Sequence, residues 1–329
     1  MKRISILDGF RALAIIPVIF FHYFSRWTPP MNPTNFYPYG ETYRDIPLFQ
    51  YGFLGVEFFF VISGFVICMT LSTSKSGYDF AIKRVSRLWP AMLLCSVLTF
   101  VLLKIIPQEL FSANAKNFLP SLTFIDPFIL GKALKQDFEW MDGAYWSLFV
   151  EVRFYFWAAL IYFFSKSRFL EAFFAFTTAG VILFFAGQYA VPGIRTLVEY
   201  AFFPKFLPLF AMGVGFFYLY DKKREKFAHF IILESLAVLV LEARYTYQQK
   251  TTHSLSMGVE LGVYAAVVGA FYIFVYRPQW FSFFGWKPVS AVGAASYSLY
   301  LLHQNAGVAM IRYITDTTMI RGEFVAIGV

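Results

Sequence analysis

Long apolar runs recur along the chain, separated by charged or proline-rich segments. A helix needs about twenty predominantly apolar residues to cross the hydrocarbon core of a bilayer. The pattern predicts spans near residues 5–24, 53–72, 88–106, 144–164, 169–189, 204–220, 228–241, 255–276 and 290–311. A further apolar run begins at Glu323 and meets the end of the chain. We therefore expect an all-α polytopic membrane protein, a bundle of about ten transmembrane helices with the tenth truncated in this chain. The whole of 1–329 is predicted to be a single integral-membrane domain with no soluble domain.

The composition supports this class, with 58% hydrophobic residues, 43 Phe and a mean hydropathy of +0.58. Average soluble chains are about 45–50% apolar, so an ordinary soluble domain is excluded. The net charge of +8 does not indicate nucleic acid as a partner, because in a membrane protein the placement of Lys and Arg matters more than their sum. Cys68 and Cys95 lie in apolar runs, so we predict packing roles for both and no metal site.

Basic residues are concentrated in short segments that alternate with longer, more acidic ones. These short segments lie around residues 2–3, 75–87, 166–168, 222–226 and 277–287. Positive charge in short loops marks the cytoplasmic side, which predicts a cytoplasmic N-terminus. The long segments near 25–52 and 107–143 are then external, and loops of that length are more often binding or lid elements than spacers.

One small-residue pattern predicts where helices approach each other closely. Gly258 and Gly262 form a GxxxG pattern around Glu260. Such patterns let helix backbones come together in membranes, so we expect close packing at this face.

The first apolar run is unusual because it carries Asp8, Arg11 and His22. A charged side chain near the bilayer centre costs about 2.5–3.5 kcal/mol on insertion scales, so these residues are functional candidates. At about 100° and 1.5 Å per residue, Arg11 and His22 lie roughly 20° apart around the helix and about 16 Å apart along it. The two residues are therefore predicted to share one stripe of the helix.

Several short motifs follow one another in a characteristic order: LDGFRA (7–12), GFLGVEFFFVISGF (52–65), RVSRLWP (84–90), WSLFVEVRFYF (146–156) and SYSLYLLH (296–303). Together with the spacing from Arg11 to His22, this set resembles the acyltransferase-3 family of membrane O-acyltransferases, which acylate cell-envelope sugars and some small natural products. The resemblance implies acyl-CoA, most often acetyl-CoA, as donor substrate and no permanently bound cofactor. It also implies a sugar or glycoconjugate acceptor and the bacterial inner membrane.

The resemblance assigns catalysis to His22. A histidine beside a carboxylate can take a proton from a hydroxyl, and the predicted orientation puts Glu57 and Glu151 in the outer half with His22. Glu151 follows Ser147 by four residues, so both face one side of the helix and can form a local hydrogen bond. Arg11 is expected to face the interior, which makes His22, Glu151, Arg11 and Glu57 the catalytic candidates. The alternatives are an interfacial histidine in an aromatic belt and a carboxylate that ties helices together.

A donor site is predicted from basic and aromatic residues elsewhere. Arg84 and Arg87 stand three apart at the predicted start of the third helix, and guanidinium groups bind phosphates bidentately. The alternative is ordinary positive-inside anchoring. Tyr297 is a further donor-binding candidate. Packing is the default role of Tyr297, Tyr300 and His303.

The sequence thus predicts a transmembrane O-acyltransferase, most often an O-acetyltransferase, that moves an acyl group from cytoplasmic acyl-CoA to an envelope sugar, with His22 as catalytic base or acyl carrier. The alternative is a proton-coupled transporter, since buried Glu, His and Arg also form proton relays. Against it, the chain has no paired halves with Gly-interrupted helices. A non-catalytic sugar-lipid binder is a third option.

Overall fold

The computed structural model describes residues 4–106, 110–187, 198–249, 256–318 and 320–329. Throughout these ranges the regular structure is helical, without a β-strand. The main helices are α1 (Ser5–Phe24), α2 (Leu54–Thr73), α3 (Gly77–Ile105), α4 (Trp146–Phe164), α5 (Phe169–Gly187), α6 (Leu207–Tyr220), α7 (Glu225–Gln249), α8 (Met257–Tyr276), α9 (Lys287–Leu302), α10 (Val308–Thr317) and α11 (Gly322–Gly328).

Seven helical segments of the described chain are long and apolar enough to cross a membrane. They are Ser5–Phe24, Leu54–Thr73, Gly77–Ile105, Gly143–Phe164, Lys166–Gly187, Val198–Tyr220 and Met257–Tyr276. The helical membrane class is therefore confirmed, while the count of about ten spans stays a prediction. The apolar run predicted at 290–311 is divided, because α9 ends at Leu302 and one π-helical turn, His303–Gly307, joins it to α10.

The predicted start of the third span was wrong. Helix α3 begins at Gly77 rather than near 88, because polar residues extend it beyond the apolar run. The Ser76 hydroxyl accepts a hydrogen bond from the Asp79 N–H at 3.1 Å, which is the geometry of an N-cap. Arg84 and Arg87 therefore lie two to three turns inside α3, not at its start. The predicted span ends at 189 and 255 lie outside the described residues.

The chain folds into two compact units. The first comprises Met1–Phe10, Glu57–Ile82 and Val150–Ser290. Within it, α2 and α6 cross where Gly64 meets Gly213, and a Cβ on either glycine would collide with backbone of the other helix. By contrast, no described atom outside the adjoining backbone of its own helix lies within 4 Å of a Cβ built on Gly262. The close packing predicted for the GxxxG pattern is thus not found among the described residues.

The second unit comprises Arg11–Val56, Lys83–Phe149 and Ala291–Val329. A segment that the sequence predicts as a long external loop, 25–52, packs here against the end of α1. The Tyr37 hydroxyl donates a hydrogen bond to the backbone carbonyl of His22, and Tyr39 donates one to that of Tyr23. The rings of Tyr37 and Tyr39 stack with centroids 5.2 Å apart. The backbone that carries His22 is therefore held in place by the loop.

Candidate active site

His22 lies in the last turn of α1 and is partly exposed. Its Nδ1 is 3.0 Å from the backbone oxygen of Val18 and 3.1 Å from Nε2 of His303. The two imidazole rings have centroids 4.7 Å apart and are nearly perpendicular, at 81°. The side chain of Gln304 also hydrogen-bonds the His22 ring. His22 thus forms a close pair with a second histidine.

A π-helical turn, His303–Gly307, presents the second histidine of this pair. The turn is fixed by Asp142, whose carboxylate accepts the N–H of Ala144 at 2.9 Å and the N–H of Asn305 at 2.8 Å. Burial raises the pKa of Asp142 to about 7, and the backbone N–H groups that it accepts oppose that rise. One buried side chain therefore caps the turn before α4 and anchors the turn that carries His303.

The spacing allows a local bond between Ser147 and Glu151, but each side chain has another partner in the structure. Ser147 Oγ lies 2.7 Å from the hydroxyl of Tyr300, and both residues are buried. Glu151 accepts a hydrogen bond from Ser63 on α2. The spacing puts both residues on one helix face, but each forms its hydrogen bond with a residue distant in sequence.

Both catalytic candidates with carboxylates belong to the first unit. Glu57 is buried, at 8% exposure, and hydrogen-bonds the Tyr264 hydroxyl. Tyr264 donates to Glu260 at 2.8 Å, and Lys205 is a charged neighbour of Glu57. Glu57 and Glu151 thus have polar partners of their own inside this unit. The side chain that lies at hydrogen-bond distance from Nδ1 of His22 is a histidine instead of a carboxylate.

The donor-binding candidates lie in the second unit. The Tyr297 hydroxyl donates to the backbone oxygen of Leu88 at 3.1 Å, one residue after Arg87. This bond joins α9 to the segment of α3 that carries both arginines. Arg87 is exposed, while Arg84 is partly exposed. Arg11 is also partly exposed and, like His22, belongs to this unit.

Two features of the site were missed by the sequence reasoning. His303 ends the SYSLYLLH motif, so its position carried a signal, yet packing was its expected role. Asp142 precedes the WSLFVEVRFYF motif and was not singled out. The signal in the sequence was an aspartate, Asp142, just before a predicted helix, which is typical of an N-cap. No cluster of three or more His, Cys, Asp or Glu that could hold a metal ion occurs among the residues described.

Comparison with known proteins identifies the family of this chain. A family model described as an acyltransferase domain, acyltransferase 3, matches residues 4–329. The chain belongs to this family. The O-acetyltransferase OatA of Staphylococcus aureus is 24% identical over 347 aligned positions, which cover 90% of this chain and 49% of the relative. Two further relatives share shorter stretches with it.

The peptidoglycan O-acetyltransferase OatA of Listeria monocytogenes is 29% identical over 185 positions, covering 50% of this chain and 25% of the relative. The putative peptidoglycan O-acetyltransferase YrhL of Bacillus subtilis is 28% identical over 160 positions, covering 45% and 22%. The acyltransferase-3 chain thus spans about half the length, or less, of the curated relatives that it matches. No solved structure matches it significantly.

Proposed function

We propose that this acyltransferase-3 chain is a membrane O-acetyltransferase that moves an acetyl group from cytoplasmic acetyl-CoA to a hydroxyl of an envelope sugar. Family membership over residues 4–329 supports the reaction class, and the relatives named as peptidoglycan O-acetyltransferases support a glycan acceptor. The observation that carries the proposal is the position of His22, a partly exposed imidazole at the end of a membrane helix. Its Nδ1 lies near the Val18 carbonyl and Nε2 of His303, so Nε2 is the nitrogen that we assign to the chemistry.

The proposed reaction is a direct transfer. The acceptor hydroxyl loses its proton to Nε2 of His22 while its oxygen forms a bond to the acyl carbon of the thioester. The carbon–sulfur bond then breaks, and the proton on His22 passes to the thiolate of CoA. General base catalysis of this kind contributes on the order of 10²–10⁴-fold. If His22 instead carries the acyl group, the same nitrogen is the nucleophile.

Arg84 and Arg87 are proposed to hold the phosphates of the donor. Their spacing on α3 puts both guanidinium groups on one face, and the exposure of Arg87 leaves it open to a ligand. Tyr297 fixes α9 against this segment. A cytoplasmic N-terminus and the bacterial inner membrane belong to the same proposal, since acetyl-CoA is made in the cytoplasm.

A proton-coupled transporter is the second candidate, and one observation favours it. In the first unit, Glu57 and Glu242 each have Lys205 and Glu260 as electrostatic neighbours, and ionisable groups inside a membrane protein also serve proton relays. Proteoliposomes discriminate the two functions. The enzyme produces acetylated glycan from labelled acetyl-CoA without a proton gradient, whereas a transporter accumulates solute only when the gradient is applied.

A deletion strain of the host tests the proposal in cells. Grown with labelled acetate, it should lose O-acetyl groups from its envelope glycans, and the wild-type gene should restore them while His22→Ala should not. Unchanged envelope acetylation in the deletion strain would contradict the proposed acceptor class.

A further inference from the structure

The His22–His303 pair has an asymmetry that bears on chemistry. His303 is 3% exposed, whereas His22 is partly exposed. A substrate can therefore reach His22 but not the ring behind it. Any part that His303 plays in the reaction must act through His22.

The hydrogen-bond partners fix where each ring carries its proton. Nδ1 of His303 lies 2.8 Å from the backbone oxygen of Tyr300, and Nδ1 of His22 lies 3.0 Å from that of Val18. A carbonyl oxygen can only accept, so each neutral ring must carry its proton on Nδ1. Nε2 of His303 is then an acceptor, and it faces the Nδ1–H of His22 at 3.1 Å. The Gln304 amide can donate or accept and imposes no tautomer of its own.

We propose that His303 is the positioning residue for His22. Its Nε2 accepts a hydrogen bond from the Nδ1–H of His22 and, together with the Val18 carbonyl that shares this N–H, holds the ring in orientation and in the tautomer whose Nε2 is unprotonated. This inference rests on the proposed function, in which that nitrogen takes the proton of the acceptor hydroxyl. His303 gains and loses no proton in the step, and its lone pair stabilises the imidazolium that forms on His22. The carboxylate of a Ser-His-Asp triad orients its histidine by the same logic.

The fold supports this role at the backbone of His303. The ring belongs to the first residue of the π-helical turn, and Asp142 anchors that turn through the Asn305 N–H. Unusual helical turns of this type occur frequently at functional sites. The position of the His303 ring is therefore set by backbone contacts, which keeps Nε2 aimed at its neighbour.

Two amide substitutions separate this role from a structural one. In His303→Gln the side-chain oxygen falls near the place of Nε2 and can still accept from His22. In His303→Asn the amide nitrogen falls near the place of Nδ1 and can still donate to the Tyr300 carbonyl, but the side-chain acceptor for His22 is lost and only the Val18 carbonyl remains for its Nδ1–H. Acyl transfer from labelled acetyl-CoA is measured for both variants in membranes, per amount of folded protein, together with His303→Leu.

We expect kcat to fall on the order of 100-fold in His303→Asn and His303→Leu, and less than about tenfold in His303→Gln, with the KM for acetyl-CoA unchanged. His229→Gln is the matched control, since that ring is also hydrogen-bonded, at 2.8 Å to the Tyr272 hydroxyl, and it should keep wild-type activity. If the Leu variant does not fold, the comparison of Gln with Asn still decides.

The opposite order would overturn the inference: Asn as active as Gln or more so, or losses that appear in KM, would show a structural role. Full activity in all three variants would also overturn it. His22→Ala, assayed in parallel, distinguishes failure of the positioning role from failure of the proposed function. An inactive His22→Ala beside fully active His303 variants removes only the positioning role, whereas an active His22→Ala removes the proposed mechanism itself.

Discussion

Replacing Asp142 with Ala should destabilise this protein far more than an ordinary helix-cap mutation. The carboxylate is fully buried, and it accepts the backbone N–H groups of Ala144 and Asn305 at 2.9 and 2.8 Å. The substitution leaves both donors buried without an acceptor. Each unsatisfied buried donor costs about 1–3 kcal/mol, so the expected loss is about 2–6 kcal/mol.

A cap with the same local geometry provides the control. Asp126 also accepts the N–H two residues ahead, from Phe128 at 2.9 Å, but it is partly exposed and water can replace it. Asp126→Ala should therefore cost only about 1 kcal/mol, the usual value for losing an N-cap. Thermal unfolding of both variants in the same detergent, followed by tryptophan fluorescence, measures the difference.

Asp142→Ala should also lose acyl transfer, because the Asn305 N–H belongs to the turn that presents His303. We expect Asp142→Ala to be less active per folded molecule even at temperatures where it stays folded, while Asp126→Ala keeps wild-type activity. Equal losses of stability in the two variants would refute the reasoning, since burial and the second backbone bond would then contribute nothing.

Other substitutions test separate parts of the account. Gly64→Val should prevent accumulation of folded protein because the valine side chain would collide with α6. Gly262→Val has open space beside it and should be tolerated. Equal yields of the two variants on size-exclusion chromatography would contradict this. Arg84→Ala and Arg87→Ala should raise the KM for acetyl-CoA more than the KM for the acceptor, and Lys should rescue only in part because it lacks the planar fork; equal effects on both KM values would favour anchoring. Arg11→Leu should insert at least as well as the wild type, since Leu costs less in the bilayer, but lose acyl transfer, and an active variant would make the shared stripe irrelevant.

The sequence predicted the membrane helices well because the bilayer imposes their length and polarity. The runs at 5–24 and 53–72 match α1 and α2 within one residue at each end. The start of α3 could not be predicted from apolar content, since its first turns are polar and are held by the Ser76 cap. Hydropathy detects the apolar part of a helix but does not detect a polar extension of the same helix.

The site was predicted less completely, because its contacts join distant parts of the chain. His22 was found from a charge-bearing helix and a family motif, but its bond to His303 joins positions 281 residues apart. Local spacing allows a bond between Ser147 and Glu151, but the Ser147 hydroxyl pairs with that of Tyr300. Helical periodicity shows which residues share a face, while the neighbouring helix decides which of them are bonded.

Glycine patterns show the same limit. The GxxxG of Gly258 and Gly262 lies within one helix and was visible in the sequence, yet the close crossing in the first unit uses Gly64 on α2 and Gly213 on α6. A crossing needs one small residue on each partner helix. A pattern within a single helix does not identify the partner, so the sequence alone could not locate the crossing.

The central claim is that His22 performs acyl transfer, and one assay tests it most directly. Purified wild-type protein and His22→Ala, reconstituted at equal folded amounts with glycan acceptor, are incubated with acetyl-CoA labelled in its acetyl group. We expect labelled glycan with the wild type and a rate at least about 100-fold lower with His22→Ala, while both proteins unfold at the same temperature. Labelled glycan formed at a comparable rate by His22→Ala would contradict it.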